Sequence, residues 1–186
     1  VAGGTGDLVE IAVTDNVAPA RLTRALAFAR RIGWRAVATR PEGAAAAPVA
    51  VRLARAIAET VAHLERGGLD RAAIARALAA HGIAGEGTLH RPDPTEIDIA
   101  RRCYAAVANA GARLIESGVL HRPCEVDMVA IGAGLMARHT GGPMYQADRR
   151  GIGVELRVGS GAGDAERQPC GEQPTAHKGG AARSTT

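Results

Sequence analysis

Alanine constrains this chain more than any other feature. It fills 40 of 186 positions, while aromatic residues make up only 2%. Alanine buries little area per residue, so close helix–helix packing has to supply the stability that large side chains supply elsewhere. The apolar pattern along most of the sequence fits that demand.

The first segment is the exception. Leu8 to Val13 is strand-like, and Leu22, Ala25, Leu26, Ala29 and Ile32 then recur at helical spacing. Pro19 suits a first helical turn and Gly33 the stop after the last one. Ala36 to Thr39 makes a second short strand, completing a strand–helix–strand unit of the kind that joins parallel strands. A parallel sheet needs cover on both faces, and two strands alone leave apolar faces and edges open. Pro41 to Pro48 reads as a connector punctuated by proline and glycine.

From there the chain turns helical. Val49, Leu53, Ile57, Val61 and Leu64 form one apolar face on a helix that Gly67-Gly68 ends. Asp70 suits the N-cap of a second helix carrying Ile74, Ala77 and Leu78. After a polar link from Gly85 to Arg91, the run Asp93-Pro94-Thr95-Glu96 combines a cap, a first-turn proline and a capping-box glutamate. Ile99, Cys103, Val107, Ala110 and Leu114 continue as a stripe up to Gly118, and a shorter helix is expected from about Glu125 to Gly132. The two hairpins read as copies, with Leu64-Glu65-Arg66-Gly67 falling on Ile115-Glu116-Ser117-Gly118. Gly159 to Thr186 contains no Leu, Ile, Val, Met or aromatic residue and is expected to be disordered, because nothing in it offsets the entropy of ordering.

Charge and cysteine usage narrow the function classes. The net charge of +4 comes from 23 basic and 19 acidic residues scattered along the chain. Neither a basic block nor interleaved aromatics is present, so no nucleic acid is expected as a partner. The three cysteines, Cys103, Cys124 and Cys170, are widely spaced and form no metal-ligand pattern, which fits a reduced, cytoplasmic setting and no metal. No apolar run is long enough to cross a membrane, and no membrane partner is expected. The opening VAGGTGD, with Val1 first, gives way at once to the Leu8 strand and reads as entry into the middle of a fold.

Three ordered segments carry a resemblance. They are Arg102-Cys103-Tyr104 through Asn109-Ala110-Gly111-Ala112-Arg113-Leu114-Ile115-Glu116-Ser117-Gly118, then Glu125-Val126-Asp127-Met128-Val129, then Arg138-His139-Thr140-Gly141-Gly142-Pro143-Met144-Tyr145-Gln146-Ala147-Asp148. Together they resemble the second C-terminal helical repeat of the long-type 3-hydroxyacyl-CoA dehydrogenases found in multifunctional fatty-acid oxidation enzymes. Upstream, LVEIAV and the ALAFARRIG helix resemble the last strand–helix–strand of that family's NAD-binding domain, and VRLARAIAETVAHLERGG resembles the opening helix of its first C-terminal repeat.

The resemblance implies a mainly α fold with two helical hairpin repeats, preceded by a β-α-β remnant of a Rossmann domain. Residues 1–47 would be that remnant, 48–158 the helical domain with a shortened first repeat, and 159–186 the tail. The activity it implies is oxidation of an L-3-hydroxyacyl-CoA to the 3-ketoacyl-CoA of fatty-acid β-oxidation, with NAD as cofactor. A histidine base abstracts the hydroxyl proton, and fixed donors, an asparagine among them, support charge on the oxygen.

The sequence departs from that pattern where the chemistry sits. The glycine-rich fingerprint of a nucleotide-binding fold and the histidine before the LVE strand are absent. The asparagine position ahead of Arg52-Leu53 is occupied by Val51, which neither donates nor accepts a hydrogen bond. The expectation is a truncated family member that is inactive alone, with no catalytic residue of its own. NAD binding would then fall to a separate subunit, and self-association through the open sheet is a further expectation. The alternative is a non-catalytic helical module that binds a partner subunit or an acyl-CoA.

Other chemistry-bearing residues have plainer readings. His63 and His81 fit surface or helix-end positions, and the His139 loop fits a packing role. Glu116 and Asp127 fit solvent-exposed helix ends, and Cys124 a helix N-cap. Gly3-Gly4-Thr5-Gly6 precedes a strand and has no helix N-terminus to offer a phosphate, and Gly159-Ser160-Gly161-Ala162-Gly163 fits a linker.

Overall fold

A computed structural model describes residues 8–43, 46–84 and 91–153. The glycine runs near both ends and the tail from Gly159 lie outside these residues. The described chain begins with β1 (Leu8–Ala12), α1 (Pro19–Arg31) and β2 (Arg35–Thr39). The two strands run parallel, with Leu8 opposite Arg35 and Ala12 opposite Thr39, and the Val13 N–H extends the ladder by donating to the Thr39 carbonyl. Pro19 sits in the first turn of α1, where its missing N–H removes a donor that would have had no helical partner.

The helices are α2 (Val49–Arg66), α3 (Arg71–Ala80), α4 (Pro94–Glu116), α5 (Pro123–Gly132) and α6 (Pro143–Arg149), with a short 3-10 turn at Arg138–Thr140. The protein is mainly helical, with a small two-stranded parallel sheet. The caps form as the residue types require. Asp70 accepts from the Ala73 N–H, and Asp93 and Glu96 exchange both bonds of a capping box. Such pairs satisfy orphan donors in the first turn, which is why their sequence signal is local and readable.

Packing centres on α4. Its buried face (Ile99, Cys103, Tyr104, Val107 and Leu114) meets Leu53 and Leu64 of α2, Ile74 and Leu78 of α3, and Val126 and Val129 of α5 in one cluster that also takes in Val37 of β2. Small residues set the spacing, as the alanine content demands. Ala100, Ala108 and Gly111 of α4 are buried, and Gly111 lets Val126 of α5 seat directly against the α4 backbone. At Gly132, the end of α5 meets Leu8 of β1 in the same way.

The turns that end α2 and α4 close with the same hydrogen bonds: Gly67 donates to His63 and Gly68 to Glu65, and Ser117 donates to Arg113 and Gly118 to Ile115. The segments that follow α3 and α5 also meet. Ile83 and Met136 form an antiparallel bridge, with the Ala84 N–H on the Leu135 carbonyl and the Ala137 N–H on the Gly82 carbonyl.

Candidate functional site

Three places in the fold gather polar groups that packing alone does not explain. The first joins the sheet to the helices. Glu10, a lone charge in the strand LVEIA, accepts from the Val49 and Ala50 N–H groups at 2.7 and 2.9 Å. The residue ahead of α2 is Pro48, which offers no capping side chain, so a carboxylate from a distant strand satisfies these donors. Val51 follows directly in the same turn and is 51% exposed. The Val51 side chain itself is apolar and offers no hydrogen-bonding group.

A second cluster surrounds Asp127. The expectation of a solvent-exposed carboxylate at a helix end is corrected here. Asp127 is half-buried and accepts from the Met144 N–H at 2.7 Å and the Tyr145 N–H at 3.3 Å, which caps α6 from a neighbouring helix. Pro143 takes the first helical position, and Gly142 ahead of it carries no capping side chain. Glu116 is exposed at the end of α4.

Burial raises the Asp127 carboxyl to about 6, and the two backbone donors pull the other way by favouring the ion. A folded-state value above the unfolded one of 3.8 means that the native protein binds the extra proton. The resulting stability is complete below 3.8 and is lost as pH rises through 6. Wild-type stability measured against Asp127→Asn by urea unfolding is therefore expected to fall between pH 4 and 7, the window set by those values. A difference curve that stays flat or rises would show that the carboxylate is held as an ion throughout.

The third place is a cavity of about 400 Å³ lined by Ala80, His81, His139, Thr140, Gln146, Arg149 and Arg150. It lies where the end of α3, the 3-10 turn and the end of α6 converge. Gly82 allows this convergence, because a Cβ there would stand 2.9 Å from Thr140 Cγ2 and 3.0 Å from Ala137 Cβ. Below it the buried Tyr104 donates its hydroxyl to the His81 carbonyl at 2.7 Å. Burial raises the Tyr104 phenol, against smaller lowering effects from Arg150 and the Thr140 side chain. The Arg150 guanidinium lies 4.9 Å above the Tyr104 ring and donates from Nε to Gln146 Oε1, while Gln146 Nε2 donates to the Thr140 carbonyl.

The remaining sequence candidates are dispersed. His63 is exposed on the last turn of α2, and His81 caps the end of α3. Cys124 is not the N-cap expected from the sequence but lies inside the first turn of α5, two residues after the N-cap Arg122, with Pro123 at the first helical position. Cys103 is buried, and its thiol is pushed up to about 11, so it stays protonated and inert at neutral pH. Among the described residues, no group of three or more His, Cys, Asp or Glu could hold a metal ion, and no helix is long and apolar enough to cross a membrane.

Sequence reasoning missed Glu10, Gln146, Arg149 and Arg150. A carboxylate inside an otherwise apolar parallel strand is itself a signal, since it needs a partner when buried. For the other residues, the sequence carries no sign that the α3 end at Ala80 and His81 packs beside them and the 3-10 turn. No family model and no curated protein matches this chain.

Proposed function

We propose that this chain is a helical module of the 3-hydroxyacyl-CoA dehydrogenase type that does not oxidise a substrate alone and works with a separate NAD-binding subunit. The observation that carries this reading is Val51, half-exposed on the first turn of α2 and unable to stabilise charge on a reacting oxygen. The strand–helix–strand order ahead of α2 and the matched closures of the two hairpins support the finer reading, a Rossmann remnant followed by duplicated hairpins. Phe28, Ile32 and Trp34 are each more than 40% exposed near the two-stranded sheet, as a surface that docks another chain would be. Self-association through the same surface, or binding of an acyl-CoA without turnover, belongs to the alternative reading of a non-catalytic module.

Wild type and Val51→Asn, assayed with NAD and a short and a long L-3-hydroxyacyl-CoA for reduced nicotinamide, are both expected to give background rates. A restored donor typically matters by ~10²–10³ in rate only when a base and the nicotinamide are held opposite it. Turnover by wild type alone would overturn the proposal. Adding a separately expressed NAD-binding domain of a long-type enzyme is expected to shift the fluorescence of Trp34, the single tryptophan. An unchanged spectrum at saturating domain would remove the docking part.

A further inference from the structure

The outer face of α1 is built in a way that helix stability does not explain. At about 100° per residue, Arg21, Arg24, Phe28, Arg31 and Ile32 fall on one side of the helix, within an arc of roughly 100°. All five are exposed. Trp34, just ahead of β2, folds back against the same end of the helix by donating its N–H to the Ala29 carbonyl at 2.8 Å.

The chain has one Phe, one Trp and two Tyr, yet the Phe and the Trp stand 63% and 46% exposed here, beside Ile32 at 44%. A core so poor in large side chains would gain from burying them, and a helix face that is merely solvated carries polar residues instead. Large apolar residues set together at a surface mark a contact with another molecule.

The charges around them have one sign. Between Asp15 and Glu42 the sequence has six arginines and no acidic residue. Arg31, in the last turn of α1, complements the helix dipole, but Arg21 lies in the first turn and Arg24 in the next, toward the end where a cation is disfavoured. Arg21 and Arg24 are also neighbours at i and i+3 and repel each other. These two arginines work against α1 itself, and their effect turns favourable when negative charge is brought to this face.

We infer that this face docks a protein surface whose apolar centre is ringed by carboxylates, with Phe28, Ile32 and Trp34 in the middle of the contact and Arg21, Arg24 and Arg31 at its rim. The inference rests on the docking reading above and adds the chemistry that the partner must present. Aromatic and arginine side chains are frequent anchors of protein contacts, and charges at a rim steer the encounter. A second copy docked through the same face about a two-fold axis would set arginine against arginine, which works against self-association here.

The test follows the fluorescence of Trp34, the single tryptophan, in the full chain. One probe is a helical peptide with a leucine stripe flanked by glutamates, a second has lysines in place of the glutamates, and neither contains tryptophan. Saturable binding of the glutamate peptide is expected, weakening as salt is raised, with no saturable response to the lysine peptide. Arg21→Gln, Arg24→Gln and Arg31→Gln combined should slow association by about tenfold or more at low salt. Phe28→Ala should speed dissociation by about tenfold, as for an anchor residue. Arg101→Gln, at an exposed position on α4, should change neither rate.

Equal binding of the two peptides, or no binding of the glutamate peptide, would overturn the inference while the response to a separate NAD-binding domain still decides the docking reading. Binding of the glutamate peptide without any response to that domain would instead remove the family partner and keep the acidic one. Salt-sensitive shifts with vesicles of phosphatidylcholine and phosphatidylglycerol, alongside flat responses to both peptides, would assign the face to a lipid surface and overturn the protein partner.

Discussion

Replacing Gly142 by alanine is expected to destabilise the fold by about 3 kcal/mol or more, the combined scale of backbone strain and an overpacked contact. The backbone at Gly142 has φ 96° and ψ 172°, a region that only glycine occupies without strain. Space is equally restrictive. A Cβ at 142 would stand 2.5 Å from both Cβ and Oδ1 of Asp127, the residue whose carboxylate caps α6 through Met144 and Tyr145.

Moving Asp127 aside would release those two amides and add roughly the ~1 kcal/mol cost of a lost cap. α6 also supplies Met144 and Ala147 to the core and Gln146, Arg149 and Arg150 to the cavity lining, so the damage would reach both. Urea unfolding of Gly142→Ala beside Gly153→Ala is the measurement. A Cβ at Gly153 meets nothing within 4 Å, so that control should stay within about 0.5 kcal/mol of wild type. A Gly142→Ala loss below about 1 kcal/mol, a modest value for a point change, would mean that the loop relaxes around the methyl group.

This dependence of α6 on a residue of α5 also shows which parts of the molecule were legible in the sequence. Local physics was. The Asp93–Glu96 capping box, the Asp70 cap and the apolar stripes of α2 and α4 all involve residues within a turn or two of each other, and each formed as its spacing predicts. The strand–helix–strand at the start followed for the same reason.

The functional geometry was not local. Glu10 reaches an α2 that starts 39 positions later, Asp127 reaches α6 across 17, and the cavity brings His81 of the α3 end to Arg149 and Arg150. Nothing in the nearest neighbours of these residues encodes such partners. A carboxylate at a helix end is usually solvated, so the sequence reading of Asp127 followed the commoner fate, and only the packed core decides otherwise.

An alanine-rich core makes a second large effect predictable, at the crossing of α4 and α5. Gly111 lies in the C-terminal third of α4, and a Cβ there would stand 2.5 Å from Val126 Cγ1 and 3.1 Å from Cγ2. Carbon atoms pack best at about 3.5–4.0 Å, so the two helices would have to separate by about the difference. Val126 cannot turn away, because it is fully buried and β-branched side chains are stiff at χ1.

Two terms of opposite sign then compete in Gly111→Ala. Alanine gains ~1 kcal/mol over glycine in a helix interior, and overpacking costs up to ~3 kcal/mol. Packing should win, leaving a net loss of about 2 kcal/mol by that difference. Val126→Ala alone should also cost about 2 kcal/mol, from two lost methyl groups and a residual cavity. The double variant should not cost the sum. The new methyl would occupy the space vacated by Val126, so a favourable coupling of about 2 kcal/mol is expected, within the range for residues in contact. If the two losses simply add, Gly111 is not the contact that sets the spacing of α4 and α5, and close helix approach at this glycine is not what holds the crossing together.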